Sequence, residues 1–409
     1  MKNKLIYLCL IAATASSHAL ASSVVHDEDS LLAAIESANN NPAIKRIVFK
    51  RNATISLTAP VIYNGKQRLS LHGNGATIDG SGAGYFVLDD DLTAVTEDGS
   101  LVFNTAGDIT IRRLTVANSA TRGIVVNIPE DASGADIRVT LDGVKVTDSA
   151  LFGLHIDDNS DAFDDGDAGS EIGIDLTIRH SSFVGNGTGA IDFDGVRVDE
   201  RGEGDINAMI INSHIDANGG DGIELDEAGT GDVDATMIRV TINDNGFYNE
   251  EDLDDGFDID EAGDGDIDVS LFNVKASNNQ DEGLDFDEAG DGDIQFKGRY
   301  VKANNNTDEG IKLDEEDGGN ITVKMSAVES SGNGDDGMQL TELGSGFIAA
   351  RLHRVSAVDN AKYGIKMEQW VEEDEVATVE TAGILKARKV NTANNGSGDD
   401  IELNNIIQK

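Results

Sequence analysis

Residues 256–261 read Gly-Phe-Asp-Ile-Asp-Glu, residues 283–288 read Gly-Leu-Asp-Phe-Asp-Glu, and residues 310–315 read Gly-Ile-Lys-Leu-Asp-Glu. After each glycine, apolar and polar residues alternate with the period of two that is typical of a β-strand, in which the first and third side chains face a core. The three segments start 27 residues apart. A second apolar run follows each of them, which predicts a repeating unit built from short strands without a helix.

The repeat extends over most of the chain. The clearest anchor glycines are Gly222, Gly256, Gly283, Gly310, Gly337 and Gly364, and weaker matches to the pattern occur at Gly99, Gly123, Gly153, Ala190 and Asp400. Short strands in such a unit cannot bury their apolar faces alone, so each strand is expected to pair in parallel with its equivalent one unit later. The sequence therefore predicts an all-β solenoid of roughly a dozen coils, about 55 Å long at about 4.8 Å per coil.

An asparagine recurs four residues before the anchor position. The residues concerned are Asn186, Asn218, Asn279, Asn306, Asn333 and Asn360. Asparagine tolerates a left-handed backbone, and its amide can bond to the amide above and below it in a stack. The regular spacing favours such a ladder at one corner of every coil over the alternative, a set of ordinary exposed turn residues.

These features resemble the right-handed parallel β-helix proteins, the pectate-lyase-like fold family that includes pectate lyases, polygalacturonases, chondroitinase B and phage tailspikes. The resemblance is carried by the asparagine ladder, by the Asn-x-x-x-Gly-apolar-polar-apolar repeat, and by the opening passage 69–80, Leu-Ser-Leu-His-Gly-Asn-Gly-Ala-Thr-Ile-Asp-Gly. It implies a single solenoid domain. Many members act on polysaccharides, so the resemblance also implies an extracellular polysaccharide or surface glycan as partner, but it does not specify an activity.

Many members of this fold close the first coil with a short helix, which covers the exposed core and the unpaired strand atoms. In this chain, Leu31, Leu32, Ile35 and Ala38 lie on one helical face after two residues suited to begin a helix, Asp29 and Ser30. The pattern predicts a capping helix at about residues 29–39.

The first residues are predicted to be a signal peptide. Lys2 and Lys4 precede an apolar stretch, and Ala19-Leu20-Ala21 supplies the small-x-small pattern of a cleavage site. Residues 1–21 are therefore expected to be removed, leaving one domain over 22–409 that is exported to the periplasm or the extracellular space. The alternative is an N-terminal membrane anchor. Cys9 is the only cysteine in the chain, so the mature protein is expected to contain no disulfide.

Acidic residues dominate the composition: 76 of them oppose 31 basic residues, which gives a formal net charge of -45. This balance excludes nucleic acid and anionic lipid as natural partners, and no run after the N-terminal segment is apolar enough for membrane insertion. The charge is concentrated in an acidic repeat region at about 151–320. Residues 151–300 alone contain 40 acids and seven bases.

Within this region the acids recur at fixed repeat positions, so stacking is expected to superpose them. Carboxylates one strand spacing apart repel by about 1 kcal/mol in bulk water and by about 3 to 4 kcal/mol at an effective dielectric of 20. Bound Ca²⁺ is a general remedy, and Gly-Asp turns beside the columns favour it. The predicted ligands are Asp226, Glu227, Asp232, Asp260, Glu261, Asp264, Asp266, Asp287, Glu288, Asp291, Asp293, Asp314 and Glu315. The alternative is a purely solvated acidic face.

Catalytic residues are weakly indicated. The outward position after the anchor changes from acid to Lys312 and then Lys366, so Lys312 is expected to neighbour Asp285 and Asp314. These four residues are the best candidates for a lyase site, in which a base abstracts a proton beside a uronate carboxylate neutralised by calcium. Simple ion pairing is the alternative. The tripeptide Gly-His-Gly, which accompanies paired aspartates in polygalacturonase-like enzymes, is absent.

Three further side chains are candidates for the same surface. His155 lies at the outward position of an earlier coil and is a candidate ligand or acid, although a solvated histidine is the simpler interpretation. Tyr363 and Trp370 lie near the final coils and could stack on a sugar ring or pack in the core.

The sequence leaves two kinds of function open. The first is an exported calcium-binding β-helix that interacts with extracellular polysaccharide or another cell-surface component without chemistry. The second is a calcium-dependent lyase, or less favourably a hydrolase, that acts on an acidic polysaccharide. The regularity of the repeat favours the first, because active sites interrupt repeats. The oligomeric state cannot be inferred from the sequence.

Overall fold

The chain folds as a parallel β-helix. The computed structural model describes residues 24–88, 92–94, 96, 98–159, 169–248, 253–370, 381–398 and 401–409. These residues contain one helix, α1 (Glu28–Asn40), and strands that pair in parallel with their equivalents in neighbouring coils. The predicted signal peptide, residues 1–21, lies outside the described residues.

The strands are short and evenly distributed. The first half comprises β1 (Arg46–Val48), β2 (Thr54–Ser56), β3 (Val61–Tyr63), β4 (Leu69–Asp79), β5 (Gly99–Asn104), β6 (Ile109–Ala117), β7 (Arg122–Asn127), β8 (Ile137–Asp142), β9 (Lys145–Thr147), β10 (Leu154–Asp157), β11 (Ile174–Arg179), β12 (Ser182–Val184), β13 (Val196–Glu200), β14 (Ile206–Ile211), β15 (His214–Asp216) and β16 (Ile223–Glu227). The second half comprises β17 (Val233–Ile238), β18 (Thr241–Asn243), β19 (Phe257–Glu261), β20 (Ile267–Phe272), β21 (Lys275–Ser277), β22 (Leu284–Glu288), β23 (Ile294–Arg299), β24 (Lys302–Asn304), β25 (Ile311–Glu315), β26 (Ile321–Glu329), β27 (Met338–Glu342), β28 (Ile348–Ser356), β29 (Lys366–Gln369), β30 (Gly383–Arg388), β31 (Glu402–Asn404) and β32 (Ile406–Gln408).

These strands form two sheets that wrap around one core. A 12-stranded sheet runs from β3 to β31 and contains every strand that follows an anchor glycine; we call it the acidic sheet. The other strands form a 20-stranded sheet, which we call the wide sheet. The predicted alternation is confirmed in the acidic sheet, where the first and third side chains of β19 and β22 are buried.

The wide sheet bends once in each coil, which gives the coil a third face that the sequence analysis did not predict. In several coils a non-glycine residue adopts a left-handed backbone conformation at the bend: φ is 55° at Arg239, 59° at Tyr300 and 56° at Arg354. This conformation is costly for such residues. It is tolerated because the ladder continues through the bend, where the N–H of Tyr300 donates to the carbonyl of Ser326 at 3.1 Å.

The core is a stack of apolar side chains along the solenoid axis. Phe257 and Phe286 are fully buried one above the other, with ring centroids 5.2 Å apart, and Phe286 also contacts Phe296 at 5.7 Å. Edge-to-face pairs of this kind stabilise by about 1 kcal/mol beyond their burial. The in-register repeat thus converts one aromatic position into a continuous packed column.

Helix α1 covers one end of this core, as predicted. Leu31, Ile35 and Ala38 are buried, whereas Leu32, predicted on the same face, is 39% exposed. The helix begins earlier than predicted because Asp27 is the N-cap: its Oδ1 accepts a hydrogen bond from the N–H of Ser30 at 2.9 Å. No helix in the described part of the chain is long and apolar enough to cross a membrane.

The predicted asparagine ladder is present at one corner of the coils. Each buried side chain donates from Nδ2 to the Oδ1 of the next, for example Asn279 to Asn306 at 3.2 Å and Asn306 to Asn333 at 3.3 Å. The ladder also includes Asn245 and Asn395, which the sequence analysis missed. Asn245 escaped the four-residue rule because an insertion separates it from its anchor, Gly256.

The ladder also explains the anchor glycines. A Cβ atom on Gly283 would lie 2.4 Å from Nδ2 of Asn306 and 2.7 Å from the carbonyl oxygen of Gly310. The anchor is therefore glycine because the asparagine amide and the next coil leave no room for a side chain.

Replacement of Asn306 by alanine is expected to lower the free energy of unfolding by roughly 3 kcal/mol, because it orphans buried groups on both neighbouring coils. Urea unfolding measures the effect. The control is Asn207→Ala on the outward side of β14, which is expected to change stability by less than about 0.5 kcal/mol. Equal losses in the two variants would show that the ladder does not stabilise the fold.

Candidate functional site: stacked carboxylates on the acidic sheet

The acids of the repeat are aligned as the sequence predicts. Asp226, Asp260, Asp287 and Asp314 face one another in successive strands of the acidic sheet, and Glu227, Glu261, Glu288 and Glu315 do so in the next position. The aspartates point outward and are half-buried, whereas the glutamates are almost completely buried. The two columns therefore have different environments, which the sequence analysis did not anticipate.

The buried glutamates organise the turns that follow the acidic strands. In the turn after β22, Oε1 of Glu288 accepts hydrogen bonds from the N–H groups of Gly290 and Gly292, at 2.8 and 3.2 Å. A Cβ on Gly290 would lie 1.5 Å from the carbonyl oxygen of Gly263 in the preceding coil. Glu227 and Glu261 make the same pair of contacts with their glycines. The Gly-x-Gly turns thus wrap around a carboxylate.

The second oxygen of each glutamate has no donor. Oε2 of Glu227, Glu261, Glu288, Glu315 and Glu342 is buried and has no hydrogen-bond partner among the described residues. Burial is the largest cause that raises the pKa of Glu227 to about 10 and that of Glu288 to about 9. Burial also raises the pKa of Glu315 to about 8. Protonation of Glu227, Glu288 and Glu315 would therefore relieve the repulsion along the column at neutral pH.

The predicted ligands in the turns do not join the buried glutamates but form separate rows. Asp232, Asp266 and Asp293 form a ladder of their own, in which each Oδ1 accepts from a backbone N–H of the next coil, for example Asp232 from Asp266 at 2.9 Å and Asp266 from Asp293 at 2.8 Å. Asp264 and Asp291 are exposed. The thirteen predicted ligands are thus distributed over separate rows and do not converge on one site.

Carboxylates do converge at the other end of the acidic strands. In four groups of described residues, one oxygen from each member lies within 4.8 Å of the others. The groups are Asp192, Asp194 and Glu224; Glu224, Asp258 and Asp260; Asp255, Asp258 and Asp285; and Asp308, Glu309 and Asp335. Of the predicted ligands, only Asp260 belongs to one. The signal for the others was present in the sequence, because an acid usually precedes the anchor glycine and another occupies the outward position after it.

The group of Asp255, Asp258 and Asp285, which we call the Asp258 group, is the most under-compensated. Oδ1 of Asp255 accepts from the N–H of Glu282 at 2.6 Å, and Oδ2 of Asp285 accepts from Nζ of Lys312 at 2.6 Å. Oδ1 of Asp285 is buried without a partner, and within the described chain nothing donates to the Asp258 carboxylate. Burial and then the neighbouring carboxylates raise the pKa of Asp258 well above its usual range.

Lys312 lies against this group, as predicted. Its Nζ is 2.6 Å from Asp285, 3.5 Å from Asp287 and 3.7 Å from both Asp314 and Glu282. Burial alone lowers the pKa of Lys312, but the charges of Asp285 and Asp287 outweigh it and raise the pKa. A lysine acts as a general base only as the neutral amine. These contacts hold the ammonium charged, which suits charge compensation.

Lys366, the second basic candidate, is held in the same way. Its Nζ lies 2.8 Å from Oε2 of Glu368. Burial alone would lower the pKa of Lys366, but the hydrogen bond to Glu368 and the neighbouring charges outweigh this effect and raise the pKa.

His155 is neither solvated nor free. The ring is 2% exposed, its Nδ1 accepts from Nη1 of Arg122 at 2.9 Å, and its Nε2 lies 2.7 Å from Oδ2 of Asp199. Burial lowers the pKa of His155, so the ring is neutral and donates from Nε2 to Asp199. Both nitrogens are occupied, which leaves none for a metal ion. Tyr363 and Trp370 are half-buried near the final coils.

No protein-family model and no curated protein matches the chain. Among solved structures, a single-site mutant of the periplasmic alginate epimerase AlgG is 11% identical over 94% of this chain and 83% of its own, with a TM-score of 0.50. The A-module of the Azotobacter vinelandii mannuronan C-5 epimerase AlgE4 is 14% identical over 95% of this chain and 96% of its own, with a TM-score of 0.44. The chain shares the parallel β-helix fold with the AlgG mutant.

Stability in the absence of divalent cations is expected to fall as the pH rises from 5 to 9. Glu227, Glu288 and Glu315 have folded pKa values of about 8 to 10 against an ordinary value of 4.5, so the folded state binds more protons than the unfolded state in this window. Their contribution to the stability of the folded state is complete below pH 4.5 and is lost as the pH rises toward the folded pKa values. Melting temperatures measured in chelator across this range test the prediction.

The matched variant for this measurement is Glu288→Gln, which keeps the acceptor for Gly290 and Gly292 but cannot ionise. It is expected to be less sensitive to pH than the wild type. A melting temperature that instead rises with pH in chelator would contradict the protonated column.

Proposed function

We propose that the protein is an exported, calcium-binding β-helix that interacts with extracellular polysaccharide or another cell-surface glycan through its acidic sheet. The observation that carries the proposal is the Asp258 group, in which three carboxylates converge and Lys312, the only adjacent cation among the described residues, bonds to one of them.

The chemistry of this group suits Ca²⁺. Every donor is a carboxylate oxygen, the class of ligand that this hard cation prefers. Oδ1 of Asp285 and the carboxylate of Asp258 lack donors among the described residues, so a cation supplies what the protein does not. Asp255, Asp258 and Asp285 would hold the ion, whose charge would favour the ionised state of all three.

The neighbouring group extends the site along the solenoid axis. This second group consists of Glu224, Asp258 and Asp260, and it has Asp258 in common with the first. The carboxylates of the two groups therefore form a row that crosses successive coils. Calcium takes six to eight oxygen ligands, more than either group provides, and the hydroxyl and carboxylate oxygens of a sugar are suitable for the remaining positions. The shared fold with an alginate epimerase supports polysaccharide as the class of partner. Calcium ligation by the buried glutamates and the turn aspartates stays a prediction.

Export rests on the N-terminal sequence, in which a positive segment, an apolar stretch and a small-x-small pattern end at Ala21.

Replacement of Asp258 by asparagine is expected to weaken calcium binding at least tenfold, because it removes a charge shared by two groups. In chelator the same variant is expected to melt above the wild type, since it removes repulsion from Asp255 and Asp285. Titration calorimetry and melting curves with calcium and with chelator measure the two effects.

The control is Asp244→Asn, an exposed residue that belongs neither to the convergent groups nor to the predicted ligands and is expected to bind calcium as the wild type does. An unchanged wild-type melting temperature on adding calcium at neutral pH would refute the metal site, because a ligand that binds only the folded state raises its stability by mass action.

Catalysis is the second candidate function. A lyase at this site needs a neutral base, yet Lys312 is held charged by the carboxylates around it. We therefore expect no unsaturated uronate product, followed by its absorbance, on incubation with alginate, pectate or chondroitin. Product that requires calcium and disappears in Lys312→Ala would establish the lyase instead.

A further inference from the structure

The wide sheet presents a row of positive charges on its C-terminal coils. Lys297, Lys324, Arg351 and Lys386 occupy the same outward position of β23, β26, β28 and β30, and each is in register with the next. We call these four residues the cationic row. It lies on a different sheet from the carboxylate groups, in a chain whose formal net charge is -45.

Most of the row is unpaired, although the chain has more than twice as many acids as bases. Lys297 pairs with Asp268 at 2.9 Å, but Lys324, Arg351 and Lys386 are exposed and make no ion pair with any residue that the structure describes. Elsewhere on the solenoid, exposed lysines do find acids, for example Lys302 with Glu329 at 2.6 Å. Like charges about 4.8 Å apart repel one another, so the row destabilises the isolated protein.

The surroundings of the row are neutral on one side and contain two further arginines on the other. The outward position before the row is occupied by Gln295, Thr322, Ala349 and Ile384 in the same coils. The outward position after it is occupied by Arg299, Ser326, His353 and Arg388. No carboxylate interrupts these three positions in the four coils, so the surface is a continuous positive strip.

An exposed aromatic pair lies at one end of the strip. Phe272 and Tyr300 are 39% and 46% exposed, and their ring centroids are 5.6 Å apart. The guanidinium carbon of Arg299 lies 4.9 Å from the Tyr300 ring centroid. Exposed rings of this kind offer an apolar face on which a sugar ring can stack. A surface that binds its ligand through charge alone does not need such a face.

We propose that the cationic row and the Phe272–Tyr300 pair form a binding surface for a single strand of acidic polysaccharide that carries about one carboxylate per sugar. The row spaces its charges by the strand separation of about 4.8 Å, which is close to the length of one sugar unit. The carboxylates pair with the row, and a terminal sugar stacks on the aromatic pair. This surface shares the class of partner with the proposed function but uses neither calcium nor the acidic sheet.

A single polymer strand fits the surface better than an extended anionic surface does. The strip is only a few residues wide, and a membrane or a nucleic-acid duplex would also approach the large negative charge of the acidic sheet. An acidic peptide could match the charges but would not use the aromatic pair.

The test measures binding of oligogalacturonate by titration calorimetry in excess chelator, so that the calcium site cannot contribute. The variant Lys324→Gln/Arg351→Gln/Lys386→Gln is expected to lose about tenfold or more in affinity, because it removes three exposed charge pairs with the ligand, each of which contributes modestly. Wild-type affinity is expected to fall with added salt. The control, Lys50→Gln/Arg51→Gln/Lys66→Gln, makes the same change in net charge on exposed residues of the first coils and should bind normally.

Two further arms identify the ligand. Phe272→Ala/Tyr300→Ala is expected to weaken oligogalacturonate binding while leaving binding of polyglutamate, a polyanion without sugar rings, unchanged. Equal losses in the row variant and its control would overturn the surface, and equal wild-type affinity for polyglutamate and oligogalacturonate would overturn the assignment to sugar. Failure of the calcium site would appear separately, as a wild-type protein that binds in chelator but gives no calcium heat.

Discussion

In-register stacking of parallel strands places each side chain directly over its equivalent in the next coil, about 4.8 Å away. The rest of the molecule depends on this constraint, because it turns every repeat position into a column of like residues. Stacking of identical residues is favourable for Phe257 and Phe286, whose rings pack in the core. It is also favourable for Asn279 and Asn306, whose side-chain amides form a hydrogen bond. It is unfavourable for carboxylates, which contain no donor for one another once ionised.

The chain meets this difficulty in a different way in each acidic column. The aspartates at the turns, such as Asp266, accept hydrogen bonds from the backbone of the next coil. The buried glutamates, such as Glu288, place one oxygen against glycine amides, and burial raises the pKa of Glu288 to about 9, so that a bound proton would replace the missing donor. In the column of outward residues just after the anchor position, two coils have a basic residue in place of an acid: Arg197 and Lys312. The Asp258 group lies between them and receives only one contact from Lys312, which makes it the place where a cation has most to contribute.

The solenoid, its acidic columns and its asparagine corner could be predicted because the 27-residue period fixes which residues stack, whatever their detailed conformation. Asn245 was missed because the insertion before Gly256 breaks the spacing rule on which the prediction relied. The third face was missed because the bend is made by residues such as Arg239 and Tyr300, which carry no signal for a left-handed backbone. The burial of Glu288 was missed because strand alternation says which side of the sheet a residue faces but not how the following turn folds over it.

The grouping of like charges into separate rows is itself informative. A surface that serves only solubility gains by mixing acids with bases, since interspersed charges attract their neighbours. Here the carboxylates of the acidic sheet lie over one another, and so do Lys324 and Arg351 on the wide sheet, although lysines elsewhere pair readily with acids. Both arrangements raise the electrostatic free energy of the isolated protein. Such rows lower the free energy only when something of the opposite charge binds along them, and the in-register stacking that creates the repulsion also sets the spacing at which the bound charges must recur.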